Sequence, residues 1–232
     1  MVLRKPDLSL QTTTLWEYPS QHYGHGARMQ GDARYVGATP SYVVWNLLSR
    51  YTRPHDCVVD PFCGSGTTLD VAADLQRQAH GFDIQPYRPD IVQADARSLP
   101  LPNNSCDFWF ADPPYGDHIT YSGQKACIGT LSATSDAYFQ AMDQVFKEAF
   151  RVLKDRRFLA VYVCDYYSKK EGFVPTGAKL SALMAQYFVM MDHVAVVRHN
   201  KSLKKGQYHK AAEEGNFFLR GFNHLLIAKK HC

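Results

Sequence analysis

Cys57-Val58-Val59-Asp60-Pro61-Phe62-Cys63-Gly64-Ser65-Gly66-Thr67-Thr68 carries a short apolar run into a pair of glycines and on into a helical pattern. The run Cys57-Val58-Val59 is too short to alternate and reads as a buried strand. Beyond the glycines, Leu69, Ala72, Ala73 and Leu75 recur at helical spacing. A strand ending in Asp60, a Gly64-x-Gly66 turn and a helix let the backbone approach a ligand with no Cβ in the way. The turn is not a phosphate loop, because the closing Gly-Lys-Ser/Thr is missing, and it lacks the third glycine of the dinucleotide fingerprint. A tight strand–helix connection is the plain structural alternative.

Working outward, Pro40 suits the first turn of a helix in which Val43, Val44, Leu47, Leu48 and Tyr51 repeat at three and four. Downstream, His80-Gly81-Phe82-Asp83 and Ile91-Val92-Gln93-Ala94-Asp95 read as strands that each end in an acid. Cys106 to Ala111 is a fourth strand, and it runs into Asp112-Pro113-Pro114-Tyr115. Asp136 to Leu153 patterns as an amphipathic helix, Phe158 to Cys164 as a fifth strand and Leu180 to Phe188 as a helix. Val194 to Val197 and Leu225 to Ala228 read as late strands. Such alternation predicts an α/β fold with an open, mostly parallel sheet, in which ligands bind beyond the carboxyl ends of the strands. Asp60, Asp83, Asp95 and Asp112 all fall at or just past such ends. Four carboxylates on one rim would repel one another without a ligand to satisfy them.

The tetrapeptide Asp112-Pro113-Pro114-Tyr115 has chemistry of its own. Neither proline has an N–H, and two fixed φ values hold the Asp112 carboxylate and the Pro113 carbonyl in a rigid extended arrangement. Two adjacent acceptors suit an NH₂ group, which has two donors. Accepting both protons draws the nitrogen lone pair out of conjugation and aims it at a methyl donor. Tyr115 offers a face for a base to stack on, and a base reached this way has left a duplex or is single-stranded. Asp83 is placed to take both ribose hydroxyls of a nucleoside, and Asp95 to accept from an adenine amine.

The glycine segment Asp60 to Thr68 together with Asp112-Pro113-Pro114-Tyr115 resembles the amino-methylating DNA methyltransferases, which act on adenine N6 or cytosine N4. Gly37 to Thr52 looks like the helix ahead of that family's glycine loop, and Tyr138 to Cys164 like its later helix and fifth strand. The resemblance implies a Rossmann-like S-adenosylmethionine-dependent methyltransferase fold: a mostly parallel seven-stranded sheet with a late antiparallel strand and helices on both faces. By it, Phe62, Gly64 and Gly66 line the methionine part of the cofactor, with Asp60, Thr67 and Ala96 in the same site. Asp83 binds the ribose, Ile84 packs on the adenine, and Asp95 reaches its amine. Asp112 and Pro113, with Pro114 and Tyr115, hold the target base. Two departures stand out. The catalytic motif follows the glycine loop, whereas in many relatives it precedes it, and there is little room for a target-recognition domain.

Composition bounds the rest. At 232 residues, 45% hydrophobic and 21% charged, the chain fits one large α/β domain. The expected division is an N-terminal extension or lid over 1–36 and a single catalytic domain over 37–232. There is no long apolar run and no secretory pattern at the N-terminus, so a cytoplasmic setting is the default. No C-x-x-C pair occurs, and His22 and His25 have no carboxylate or thiol beside them, so no metal is expected. Residues 1–116 carry nine Lys and Arg against twelve Asp and Glu, net −3; residues 117–232 carry seventeen against ten, net +7. Arg198, Lys201, Lys204, Lys205 and Lys210, interleaved with His199, Tyr208 and His209, are the expected phosphate-contacting residues, with Gly116 to Ser135 as a second substrate loop. The expected partner is nucleic acid, DNA ahead of RNA, with a second copy or a partner subunit left open. The rival readings are an RNA base amino-methyltransferase and a catalytically silent nucleic-acid-binding subunit. Protein-glutamine methylation would normally come with asparagine in place of Asp112.

Overall fold

The computed structural model describes residues 8–24, 29–32, 34–35, 37–115, 124, 126–168, 172–199 and 201–231. The leading elements are a two-residue strand β1 (Leu15–Trp16), helix α1 (Ser41–Tyr51), β2 (Cys57–Asp60), α2 (Thr67–Asp74), β3 (Gln78–Asp83), β4 (Ile91–Gln93) and β5 (Cys106–Ala111). There follow α3 (Asp136–Val152), β6 (Leu153–Val163), β7 (Tyr166–Ser168), β8 (Gly172–Val174), α4 (Thr176–Met184), β9 (Val189–Val197), α5 (Gly206–Glu214) and β10 (Phe222–Lys229). Across the main sheet the order is β4-β3-β2-β5-β6-β10-β9-β1, while β7 and β8 form a separate hairpin. Every pairing in the main sheet is parallel except the two that β10 makes with β6 and β9. The seven expected strands, the late antiparallel one among them, are therefore present. An eighth is added where Leu15 and Trp16 pair with Ala195 and Val196 on the β9 edge.

Strand β5 shows how the layers form. All six of its residues are buried, and from Phe108 onward they alternate between two cores. Phe108 and Phe110 pack with α1, Val71 and Ala72 of α2, and Tyr162, Val196 and Leu225 on one face. Trp109 and Ala111 pack on the other with the apolar stripe of α3 and with Leu180 and Met184 of α4. Period two in the strand thus meets the helical period from either side. Helix α3 starts where the Ser135 side chain accepts from the Tyr138 N–H, a Ser N-cap.

The described part of the N-terminal segment is built into the domain. Trp16, Tyr18 and Tyr23 are buried with the α1 face, and Tyr18 stacks on Tyr42 at 5.1 Å. The Tyr23 hydroxyl donates to Asp74 at 2.7 Å and the Gly31 N–H to Asp70 at 2.7 Å. Among the described residues, no helix is long and apolar enough to cross a membrane.

Candidate active site

Connections from β2 lead toward β3 and β4, whereas those from β5 lead the other way, so the loops after β2 and β5 diverge. A cleft at such a divergence is where open α/β sheets bind ligands. Here it is a cavity of about 780 Å³, within the range of small-molecule sites. Phe62, Gly64, Asp83, Ile84, Asp95 and Ala96 line its β2–β4 side. All four residues of Asp112-Pro113-Pro114-Tyr115 lie in its wall, as do Arg198 and Lys204.

Three expected cofactor contacts stand behind the wall. Asp60 is buried, and its carboxylate accepts from the Phe62 N–H at 3.0 Å and the Thr68 hydroxyl at 2.5 Å. With both oxygens engaged inside the turn, Asp60 shapes the glycine loop and does not touch the cavity. Gly66, at φ +82°, is close to Arg88 and not to ligand space: an added Cβ would sit 2.5 Å from its guanidinium. Thr67 is buried, its hydroxyl bonded to that of Ser65 at 2.9 Å. Gly64, at φ +46°, does border the cavity, and a Cβ there would meet the Tyr35 hydroxyl at 2.9 Å.

The acids differ in what they have left to offer. Asp83 accepts from the Gly64 N–H at 3.0 Å and the Gln85 N–H at 2.9 Å, one bond per oxygen, so each oxygen keeps acceptor capacity. Burial raises its pKa, opposed by backbone N–H groups of Gln85, Gly64 and Ile84. Asp95 is instead clasped by Arg97, whose backbone and side chain give it three bonds. Burial pushes Asp95 up, but the Arg97 bonds and charge outweigh it and hold the carboxyl below the usual range.

Asp112 is the acid most open to chemistry. The Thr39 hydroxyl donates to its Oδ2 at 2.6 Å, and among the described residues no donor engages Oδ1. Burial pushes its pKa from the ordinary 3.8 up to about 7, opposed by the Thr39 bond and reinforced by the charge of Asp60. Asp60 is likewise pushed up to about 7, first by burial, with the Thr68 and Phe62 bonds opposing and Asp83 adding. Carboxyls held up in this way are destabilised anions awaiting a positive charge. A sulfonium cofactor fits on that ground.

The basic stretch divides. Arg198 lines the cavity and its guanidinium lies 2.9 Å from Cys164 Sγ, while Lys204 closes a 3₁₀ turn at the same mouth. Lys205 and Lys210 are exposed along α5. The Lys201 side chain, His25 and residues 116–123 of the second substrate loop lie outside the described residues. Tyr18, Thr39, Tyr162 and Asn223 also line the cavity, and none of them was expected there from sequence. Tyr162 and Asn223 do carry a local signal, since each is a polar group at a strand position whose parity points into the Phe110 core. Thr39 and Tyr18 carry none.

Residues 5–94 match the N6/N4 family whose members are described as DNA methylases, a match that ends ahead of Asp112. Among curated proteins, the type II methyltransferase M.BglII of Bacillus subtilis is 29% identical over 91 residues, 39% of this chain and 24% of that protein. The type II methyltransferase M.EcaI of Enterobacter cloacae is 29% identical over 100 residues, 43% of this chain and 20% of that protein. The matched stretch thus spans a quarter or less of those relatives. Among solved structures, TrmN from Thermus thermophilus superposes with a TM-score of 0.56 at 18% identity, covering 84% of this chain and 50% of that one. An S-adenosylmethionine-dependent methyltransferase from Methanosarcina mazei gives 0.52 at 15% identity, covering 80% and 97%. At such identities the likeness speaks for the fold alone. The chain has the Rossmann-like fold found in S-adenosylmethionine-dependent methyltransferases, and its residues 5–94 resemble the N6/N4 DNA methylase family.

Proposed function

We propose that the protein is an enzyme that methylates an exocyclic amino group of a DNA base, adenine N6 ahead of cytosine N4, with S-adenosylmethionine as the methyl donor. The observation that carries this is the state of Asp112: Thr39 fixes one oxygen, and the other is left without a donor among the described residues, in a wall that Pro113 and Tyr115 share. An NH₂ group there gives one proton to Asp112 Oδ1 and the other to the Pro113 carbonyl, while its ring lies on Tyr115. The bound cofactor supplies an electrophilic methyl carbon on a cationic sulfur. The amine lone pair forms the new N–C bond as the C–S bond breaks, and the sulfur keeps that pair and becomes neutral. The nitrogen, now positive, loses one proton. Asp112, with a pKa of about 7, can accept it and return it to water. Most of the rate then comes from positioning and from charge neutralisation in a buried site.

Phe62, Gly64, Asp83, Ile84, Asp95 and Ala96 are the cofactor side in this reading; Asp60, Gly66 and Thr67 support the loop from behind. Arg198 and Lys204 meet phosphates at the mouth, and Lys205 and Lys210 extend that contact along α5. Tyr18 and Thr39, from the segment ahead of α1, close part of the pocket, since both stand in its wall. The test is incubation with labelled cofactor and separate DNA and RNA pools, then digestion to nucleosides. Label on N6-methyladenine from DNA is expected. Label confined to RNA would keep the reaction and replace the polymer; label on neither would end the reading.

A further inference from the structure

Asp112, Tyr162, Asn223 and Val196 lie across one rim of the sheet. Ala111 pairs with Val161, so the next residues, Asp112 and Tyr162, follow side by side where β5 and β6 end. Leu225 pairs with Tyr162, and Asn223, two residues earlier on β10, shares its face and pairs with Val196. All four line the cavity. A strand position on this face is apolar elsewhere, in Phe108, Phe110, Ala160, Leu225 and Ile227. Asn223 breaks that rule at a site only 7% exposed.

Its hydrogen bonding is incomplete. The Asn223 side-chain N–H donates to the Tyr162 hydroxyl, and the amide oxygen is buried with no partner among the described residues. The Tyr18 hydroxyl, also on a residue 7% exposed and in the same wall, is a second orphan. Leaving a buried polar atom unpaired costs about 1–3 kcal/mol. Two such atoms in the wall that holds Asp112 mark a subsite built for a polar ligand edge.

We infer that Asn223 is a specificity-determining residue of the target pocket, whose amide, oriented by Tyr162, hydrogen-bonds the ring nitrogen next to the amine that Asp112 holds. The inference rests on the amino-methylation proposed above and deepens it. In adenine and in cytosine the single ring nitrogen beside the amine is a bare acceptor; in guanine the amine stands between N3, a bare acceptor, and N1, which carries hydrogen. An amide turned by about 180° places its oxygen on the Tyr162 hydroxyl, which then donates, and offers its N–H groups to the cavity. That orientation satisfies the orphaned oxygen and the incoming ring nitrogen together. It accepts adenine or cytosine, and it opposes the N1–H edge of guanine, where two donors would meet, so guanine could enter only with N3 turned to the amide. Tyr162 is a positioning residue here, since it fixes which end of the amide faces the base.

The test uses the full chain and an oligonucleotide carrying the target base, beside one whose adjacent ring nitrogen is replaced by C–H. For an adenine target this is 1-deazaadenine. Wild type is expected to lose about 10- to 100-fold in kcat/KM on the deaza substrate. Asn223→Ala should lose a similar factor on the natural base and little more on the deaza base, with cofactor affinity by calorimetry unchanged. Asn223→Asp keeps the shape, and its unfolding curve checks the fold. It should be no better than the Ala variant, because a carboxylate has no donor for the ring nitrogen. Losses that multiply across residue and base, or unchanged kcat/KM in both variants, would overturn the role of Asn223 alone. A wild type that methylates no nucleic acid overturns both this inference and the reading beneath it.

Discussion

Asp112 and Asp60 are carboxyls of one type under different constraints. Asp60 engages both oxygens with Phe62 and Thr68 inside the loop, while Asp112 has one oxygen held by Thr39 and the other without a donor among the described residues. Asp112→Ala should therefore lower methyl transfer by about 10²–10³-fold or more while cofactor binding stays measurable. Turnover and calorimetry on the same preparation separate the two. The raised pKa values give a signed pH effect. Each carboxyl, raised from 3.8 to about 7, keeps a proton in the folded state that the unfolded chain has released between about pH 4 and 7. Stability of the cofactor-free protein from these two groups thus falls as pH rises through that window. Cofactor binding near pH 7 should release protons, because a nearby cation favours the carboxylates. Binding heats measured in buffers of different ionisation enthalpy would show the release, and Asp112→Asn should reduce it.

At the scale of elements, the glycine loop and strands β2, β3 and β5 were legible because a strand-end acid, a glycine turn and a fully apolar run are local signals. The loop's internal logic was not. Gly66 is required by its left-handed φ and by Arg88, which ties Asp70 and Asp90 across the back of the turn. Gly66→Ala should cost about 1–2 kcal/mol, read as a lower urea midpoint. Strand β6 begins at Leu153, five residues ahead of the apolar run at Phe158, since Lys154 and Arg157 are tolerated where they pair with Asp107. Helix α4 starts four residues before the expected Leu180. No helix was expected among the basic residues after Arg198, yet Gly206–Glu214 forms α5, which buries no residue and so leaves no apolar period to detect. Replacing Lys204, Lys205 and Lys210 by Gln should weaken nucleic-acid binding. It should also flatten the salt dependence by about 0.9 in log–log slope for each phosphate that is no longer neutralised. An unaltered slope in a filter-binding titration would place the phosphate-binding surface elsewhere.

In the whole molecule, the described residues before Gly37 pack against the β9 edge and the α1 face. Trp16 is 3% exposed on a strand that extends the sheet, and Tyr18 stacks on the first helix. Trp16→Ala should destabilise the protein by about 3–5 kcal/mol, as a core truncation does, where a detachable lid would leave the unfolding midpoint in place. Sequence by itself determined the succession of seven strands and helices α1 to α4, the acids at the strand ends, and the rigid Asp112-Pro113-Pro114-Tyr115 segment that follows β5. Each of these is encoded within a few residues by period, proline or glycine. Only the tertiary structure decided which acids face the cavity, because that depends on hydrogen bonds between segments far apart, such as Thr39 with Asp112. It alone brought Tyr18, Tyr162 and Asn223 to one wall. Strand register, set by packing across the sheet and invisible to any local pattern, is the physical reason they meet.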